Sequence, residues 1–81
     1  MRARRRRDPP APPEAKILGP RIRALRDQHG WSQTKLADEA DLDRAYVAGV
    51  ELGLRNLALR NMVRLARALH VSLAELVDGI K

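Results

Sequence analysis

Residues 31–53 read WSQTKLADEADLDRAYVAGVELG, and this stretch decides the fold. It predicts two helices, over 33–40 and 44–52. Ser32 is the N-cap of the first, its hydroxyl accepting from an otherwise unpaired amide. Trp31 and Leu36 flank that cap as a hydrophobic staple. Asp43 is the N-cap of the second, with Leu42 and Val47 as its staple. Gly53 supplies a left-handed stop. Only 41–43 separate the two helices, and so short a turn makes them cross steeply. Both must bury apolar faces in one core, Leu36, Ala37 and Ala40 against Val47 and Val50. The leading end of the second helix is left outside. An α-helix fits the major groove of B-DNA, and side chains at its leading end reach base edges.

The pattern continues on both sides. Upstream, a helix is expected over 20–29, with Pro20 at the first helical position, where its missing N–H costs nothing. Ile22 and Leu25 point inward, and Gly30 ends the helix. Downstream, a helix over 59–69 carries an apolar stripe of Met62, Val63, Ala66 and Leu69. Ala58 is a poor cap for it, and Asn56 is the nearest good one. A last short helix over 73–77 opens with a capping box, Ser72 and Glu75, and a staple, Val71 and Leu76. There is no sustained period-two run and no hairpin signal. The expected fold is all-α, a compact five-helix bundle.

The chain has 81 residues and a net charge of +6, room for one small domain. Residues 1–16 hold six basic and two acidic side chains, the remaining 65 ten and eight. Most of the excess positive charge therefore sits ahead of the bundle. The opening run MRARRRRDPPAPP joins clustered arginine to four prolines, a composition that makes neither a packed helix nor a strand. We divide the chain into a flexible basic arm, 1–16, and a folded domain, 17–81. A solvated tail and a DNA-contacting arm both fit the first segment. The charge implies a polyanionic partner. Trp31 and Tyr46 are the only aromatics of the Phe, Trp and Tyr type, too few for a single-strand or RNA stacking platform, so duplex DNA is favoured. Cysteine is absent, which excludes disulfides and cysteine-ligated metal. No apolar run approaches the length of a membrane span, and none follows the arginines as a signal peptide requires.

With these residues in view, the stretch 31–53 resembles the Cro and phage-repressor (xenobiotic response element, XRE) family of regulators. The matching points are Ser32-Gln33, Leu36-Ala37, Leu42, Val47, Val50-Glu51 and Gly53, and LARALHVSLAELV downstream is similar to that family's fourth and fifth helices. Within the family, LDRAYVAGVELGLRN resembles the restriction-modification controller proteins. The resemblance implies a phage-repressor-like bundle whose second and third helices form the helix-turn-helix. It implies a sequence-specific transcriptional regulator that binds double-stranded DNA as a homodimer on a pseudo-palindromic operator. Three positions depart from the family pattern. Asp41 and His70 stand where glycine is usual, and Ala58 replaces a Ser or Thr cap.

Arg44 is the first candidate for base reading, because a guanidinium grips guanine O6 and N7 with two bonds. Asp43 beside it, and Ala45, Tyr46 and Gly49 after it, share the expected groove face. Alanine there can touch a thymine methyl, and glycine gives clearance. Gln33, with Thr34 and Lys35, opens the preceding helix where a phosphate can be held. Arg55 and Asn56 follow the reading helix in a loop, and the resemblance places them on the DNA backbone or minor groove. Glu51, a carboxylate near a DNA face, is expected to pair with an arginine and pin the loop. Leu59, Val63, Leu73, Leu76, Val77 and Ile80 supply more apolar surface than a small monomer should expose and are the expected dimer interface. His29 and His70 lack partner spacing for a metal, and no histidine–acid pair surrounds Ser32 or Ser72. No cofactor, metal, small-molecule ligand or membrane partner is expected, nor an enzyme, and the expected location is the cytoplasm, at the nucleoid. An antitoxin or accessory role centred on a partner protein is the other reading of the same fold. Membrane-surface binding through the arginine arm is a third, and that arm lacks an amphipathic helix.

Overall fold

The computed structural model describes residues 10–80, so Lys81 and residues 1–9 of the expected arm lie outside the described residues. The regular elements of the described residues are five helices: α1 (Ala15–Gln28), α2 (Gln33–Ala40), α3 (Arg44–Glu51), α4 (Leu59–Ala68) and α5 (Leu73–Leu76). α2 packs on α3 and α4, α1 packs on α3 and α5, and α4 packs on α5. Ile22, Leu36, Val47, Leu65, Leu69 and Leu76 are fully buried where these elements meet. Each such side chain contributes roughly 1.5–3 kcal/mol on leaving water.

The first four helices stop by one device. A residue in the left-handed region follows each, and the next amide reaches back five residues to a carbonyl: Trp31 to Arg26, Leu42 to Ala37, Leu54 to Gly49 and Val71 to Ala66. This satisfies a carbonyl that the helix end would orphan. Gly30 (φ 70°) and Gly53 (φ 75°) take that conformation without a Cβ penalty. Asp41 (φ 58°) and His70 (φ 60°) take it with one. The closure is therefore kept even where the preferred residue is missing.

The helix starts follow the sequence less uniformly. Ser32 Oγ accepts from the Lys35 amide at 3.0 Å, as expected. Asp43 has the extended backbone of a cap, but its side chain makes no cap bond. Packing of half-buried Leu42 and fully buried Val47 sets the start of α3 instead. Ala58, not Asn56, precedes α4, again without a side-chain cap. The apolar stripe of α4 also differs from expectation. Leu65 is its deepest residue, with Ala66, Ala68 and Leu69, while Val63 stays half-buried outside the core.

α1 begins five residues earlier than Pro20 suggested, two of them within the segment assigned to the arm. Pro20 lies inside the helix and cannot donate to the Lys16 carbonyl. Burial of Ala15 and Leu18 ahead of it, in line with Ile22, outweighs that loss. Gly19 lets α1 come close to α3: a Cβ there would sit 2.5 Å from the Val50 carbonyl oxygen and 2.7 Å from that of Glu51. Lys16 Nζ donates to the Leu52 carbonyl at 3.3 Å. Arg21 Nη1 donates to the Leu76 carbonyl at 3.1 Å and also to that of Asp78. His29 Nε2 lies 3.0 Å from the Leu69 carbonyl, so that nitrogen carries the proton.

The capping box of α5 forms in full. Glu75 Oε1 accepts from the Ser72 amide and Ser72 Oγ accepts from the Glu75 amide, both at 2.9 Å. The backbone bond first, and the serine hydroxyl second, hold the Glu75 carboxyl below its ordinary 4.5. A depressed carboxylate stabilises the fold above its unfolded pKa and loses that contribution as pH falls through the folded one. The Ser72 amide should therefore lose protection from hydrogen exchange as pH drops below about 4.5. Glu75→Gln, which can still accept the bond, should show no such step. Equal pH dependence in the two proteins would remove the carboxylate from this account.

Candidate nucleic-acid interface

Three residues, Asp41, Leu42 and Asp43, join α2 to α3, and the left-handed Asp41 turns the chain between them. Arg64 Nη1 of α4 donates to the Asp41 carbonyl at 3.4 Å, bracing the turn from outside. The leading end of α3 is thereby left in solvent, with Asp43, Arg44 and Ala45 all exposed. Thr34 and Lys35, in the first turn of α2, are also exposed.

Behind this surface lies an ion pair. Arg26 Nε donates to Glu51 Oε2 at 2.7 Å and Arg26 Nη2 to Glu51 Oε1 at 3.0 Å. The side chains are 11% and 3% exposed. Gln33 Nε2 adds a bond to Glu51 Oε1 at 3.1 Å, and Arg26 Nη1 reaches the Trp31 carbonyl at 2.7 Å. One carboxylate thus joins α1, the start of α2 and the end of α3. Its hydrogen bond first, and its charge as well, push the Arg26 pKa up from the ordinary arginine value. The expected arginine partner of Glu51 exists, but it comes from α1 and pins the α1–α2 loop rather than the loop after α3. Gln33 is accordingly shared, its amide spent in part on Glu51. Trp31 is half-buried against the core, with its ring stacked 4.4 Å from that of His29. Lys35 is paired with Glu39 at 2.9 Å.

A polar cleft opens beside α3, lined by Asp41, Leu42, Asp43, Ala45, Tyr46, Arg55, Asn61 and Arg64. The fold here brings together four of the expected DNA-contacting residues, Asp43, Ala45, Tyr46 and Arg55. Asn61 and Arg64 of α4 complete it, and sequence reasoning did not select them. Arg64 had one signal, since Arg60, Arg64 and Arg67 recur at helical spacing. Asn61 had none, because its partner is 15 residues away: Asn61 Nδ2 donates to the Tyr46 hydroxyl at 3.2 Å. The Arg55 guanidinium lies over the Tyr46 ring, 4.6 Å from its centroid, a cation–π distance.

An apolar cleft of about 290 Å³ lies on the other side of Arg55. Asn56 lines it together with Leu18, Val50, Leu57, Met62, Val77 and Ile80. Of the residues assigned to a dimer face, Leu59 is exposed at 62%. Val63, Leu73, Val77 and Ile80 are half-buried. Leu76 has no exposed surface. It is core, because the single short turn of α5 has one residue that faces fully inward, and the capping box turns Leu76 there. Ile17, Leu52 and Leu54 are exposed apolar residues that the expected interface did not include.

Comparison with known proteins agrees with this geometry. A helix-turn-helix family model matches residues 22–76. Over 63 residues the chain is 38% identical to the control protein C.BamHI of Bacillus amyloliquefaciens, covering 76% of this chain and 78% of that protein. The crystal structure of the restriction-modification controller protein C.AhdI from Aeromonas hydrophila superposes with a TM-score of 0.76 at 46% identity, covering 78% of this chain and 96% of that one. SinR, a master regulator for biofilm formation solved in complex with DNA, superposes with a TM-score of 0.72 at 29% identity, covering 75% of this chain and 98% of that one.

Proposed function

The chain belongs to the helix-turn-helix family of DNA-binding regulators, and from that premise we propose that it binds a pseudo-palindromic operator in double-stranded DNA as a homodimer and controls a restriction-modification system. The observation that carries this reading is the exposed leading end of α3, with Arg44 projecting beside a braced turn. Arg44 reads a guanine edge with two bonds, and Ala45 and Tyr46 touch the neighbouring bases or backbone. The α2 face of Gln33, Thr34 and Lys35 and the loop residues Arg55 and Asn56 fix register on phosphates. Because the side chain of Asp43 makes no cap bond, the leading amides of α3 are available to a phosphate oxygen as well.

Two copies pair through Leu59, Val63, Leu73, Val77 and Ile80, which sets their third helices one turn of DNA apart, about 34 Å. The basic segment 1–16 adds charge that steers the protein to DNA. No helix among the described residues is long and apolar enough to cross a membrane, and the site of action is the nucleoid in the cytoplasm.

The test begins with selection of a duplex from a random pool by the purified chain, followed by titration across salt. The selected duplex should carry an inverted repeat and bind two protomers, with log Kd rising steeply in log salt. Arg44→Ala should weaken that site by about 10- to 100-fold and random duplex far less, since a bidentate base contact discriminates by roughly 1–3 kcal/mol. Enrichment of no sequence, or equal loss on both duplexes, would sink the operator reading.

A further inference from the structure

Gly49 sits in the middle of α3 on the face assigned to DNA, and its role follows from what lies over it. A Cβ at this position would fall 2.9 Å from Cγ and 3.3 Å from Cδ of Arg55. These atoms are the middle of the arginine stem, not its far end. A methyl group cannot be accommodated by swinging the guanidinium alone, because the stem itself has to shift off the helix. As it stands, the stem lies across α3 at Gly49 and the guanidinium rests over the Tyr46 ring. Gly49 and Tyr46 are three residues apart and therefore neighbours on the helix surface. The ring is itself fixed, because Asn61 of α4 donates to its hydroxyl. With one lone pair taken by Asn61, the Tyr46 O–H is left to donate elsewhere, as a DNA acceptor requires.

We propose that Gly49 is a positioning residue: its missing side chain is the channel that seats Arg55 on Tyr46, and it acts on DNA through Arg55 and not by its own approach to the bases. The proposal rests on the DNA-binding reading above. An arginine loses considerable rotamer freedom when it is fixed. Seating it before DNA arrives removes part of that loss from the binding step. The same contact couples the loop after α3 to the reading helix, so the backbone register set by Arg55 and the base edges met by Tyr46 are held together.

The test is a double-substitution cycle on the full chain, read on the duplex selected from a random pool. Gly49→Ala should weaken binding by about tenfold in the parent protein, and by less than about twofold when Arg55 is already alanine. Alanine is the better helix former, so Tm should stay level or rise, which separates the loss from unfolding. In the absence of DNA, the Arg55 side-chain protons should be shifted upfield by the Tyr46 ring in NMR spectra, and that shift should vanish in Gly49→Ala. Equal losses in both backgrounds would assign Gly49 to direct clearance for DNA and overturn the proposal. So would unchanged binding, or a ring shift that survives the substitution. Failure of the parent to enrich any duplex would instead remove the operator reading, and the ring shift would still decide whether Gly49 seats the arginine.

Discussion

Glu51→Ala should cost about 3–5 kcal/mol of folding free energy, the penalty of leaving one member of a buried ion pair without the other. A domain of this size has a total stability on the order of 4–12 kcal/mol, so the loss is a large fraction of the whole and Tm should fall markedly. The reason lies in how many groups share one carboxylate. Arg26 gives it two bonds and Gln33 a third, and the same guanidinium holds the Trp31 carbonyl. Removing Glu51 strands a buried cation and an amide together. Urea unfolding followed by circular dichroism measures the loss directly. A cost below about 1 kcal/mol would place the pair among solvated ion pairs of little consequence. The converse substitution sharpens the point. Replacing Arg26 and Glu51 together by methionine and leucine should restore much of the stability, because a packed apolar pair avoids the desolvation cost.

Gly19→Ala should destabilise by roughly 2–3 kcal/mol or more, the range for overpacking a tight contact. In an ordinary helix the change would stabilise by about 1 kcal/mol. Here the added carbon would meet the carbonyl oxygens of Val50 and Glu51 at 2.5 and 2.7 Å, and the Glu51 carbonyl carbon at 3.0 Å. All three are backbone atoms, so no side chain can step aside and α1 has to back away from α3. Because the Arg26–Glu51 pair spans the same seam, its geometry should loosen too, and DNA affinity should fall with stability. Thermal unfolding beside Gly49→Ala makes the comparison clean. The same substitution one helix apart should lower Tm at 19 and hold or raise it at 49. Two variants with the same Tm change would mean that the seam between α1 and α3 is softer than its backbone contacts imply.

What the sequence made legible was local chemistry. Ser32, the Ser72–Glu75 box and the glycine stops after α1 and α3 are each decided within a few residues, and each formed as read. The steep pairing of α2 and α3 was readable because the turn between them leaves so little chain. Misreadings arose where tertiary packing overrode a local preference. Pro20 has the signature of a helix start, but the burial of Ala15 and Leu18 carries the helix past it. Leu65 and Val63 exchange roles because neighbouring α2 and α5 decide which side of α4 is inward. In the candidate site, the exposure of single residues was legible and their couplings were not. Arg44 is exposed, as expected of the first residue of α3. Nothing in the chain order announces that Glu51 is met by Arg26 25 residues earlier, or that Tyr46 is fixed by Asn61.

The tie from Arg21 to the carbonyls of Leu76 and Asp78 has a kinetic consequence. α5 is only four residues long, too short to persist alone, and its terminal carbonyls are answered by a side chain from the opposite end of the sequence. The last turn therefore has no independent life. It can be complete only while α1 is docked, and α1 in turn loses the cover of Leu76 if α5 lifts. Amides of the final helix should exchange with solvent at the rate of global opening, not at the faster rate of a frayed terminus. α1 and α5 therefore cover part of each other's buried faces, and the bundle should open as one unit rather than helix by helix.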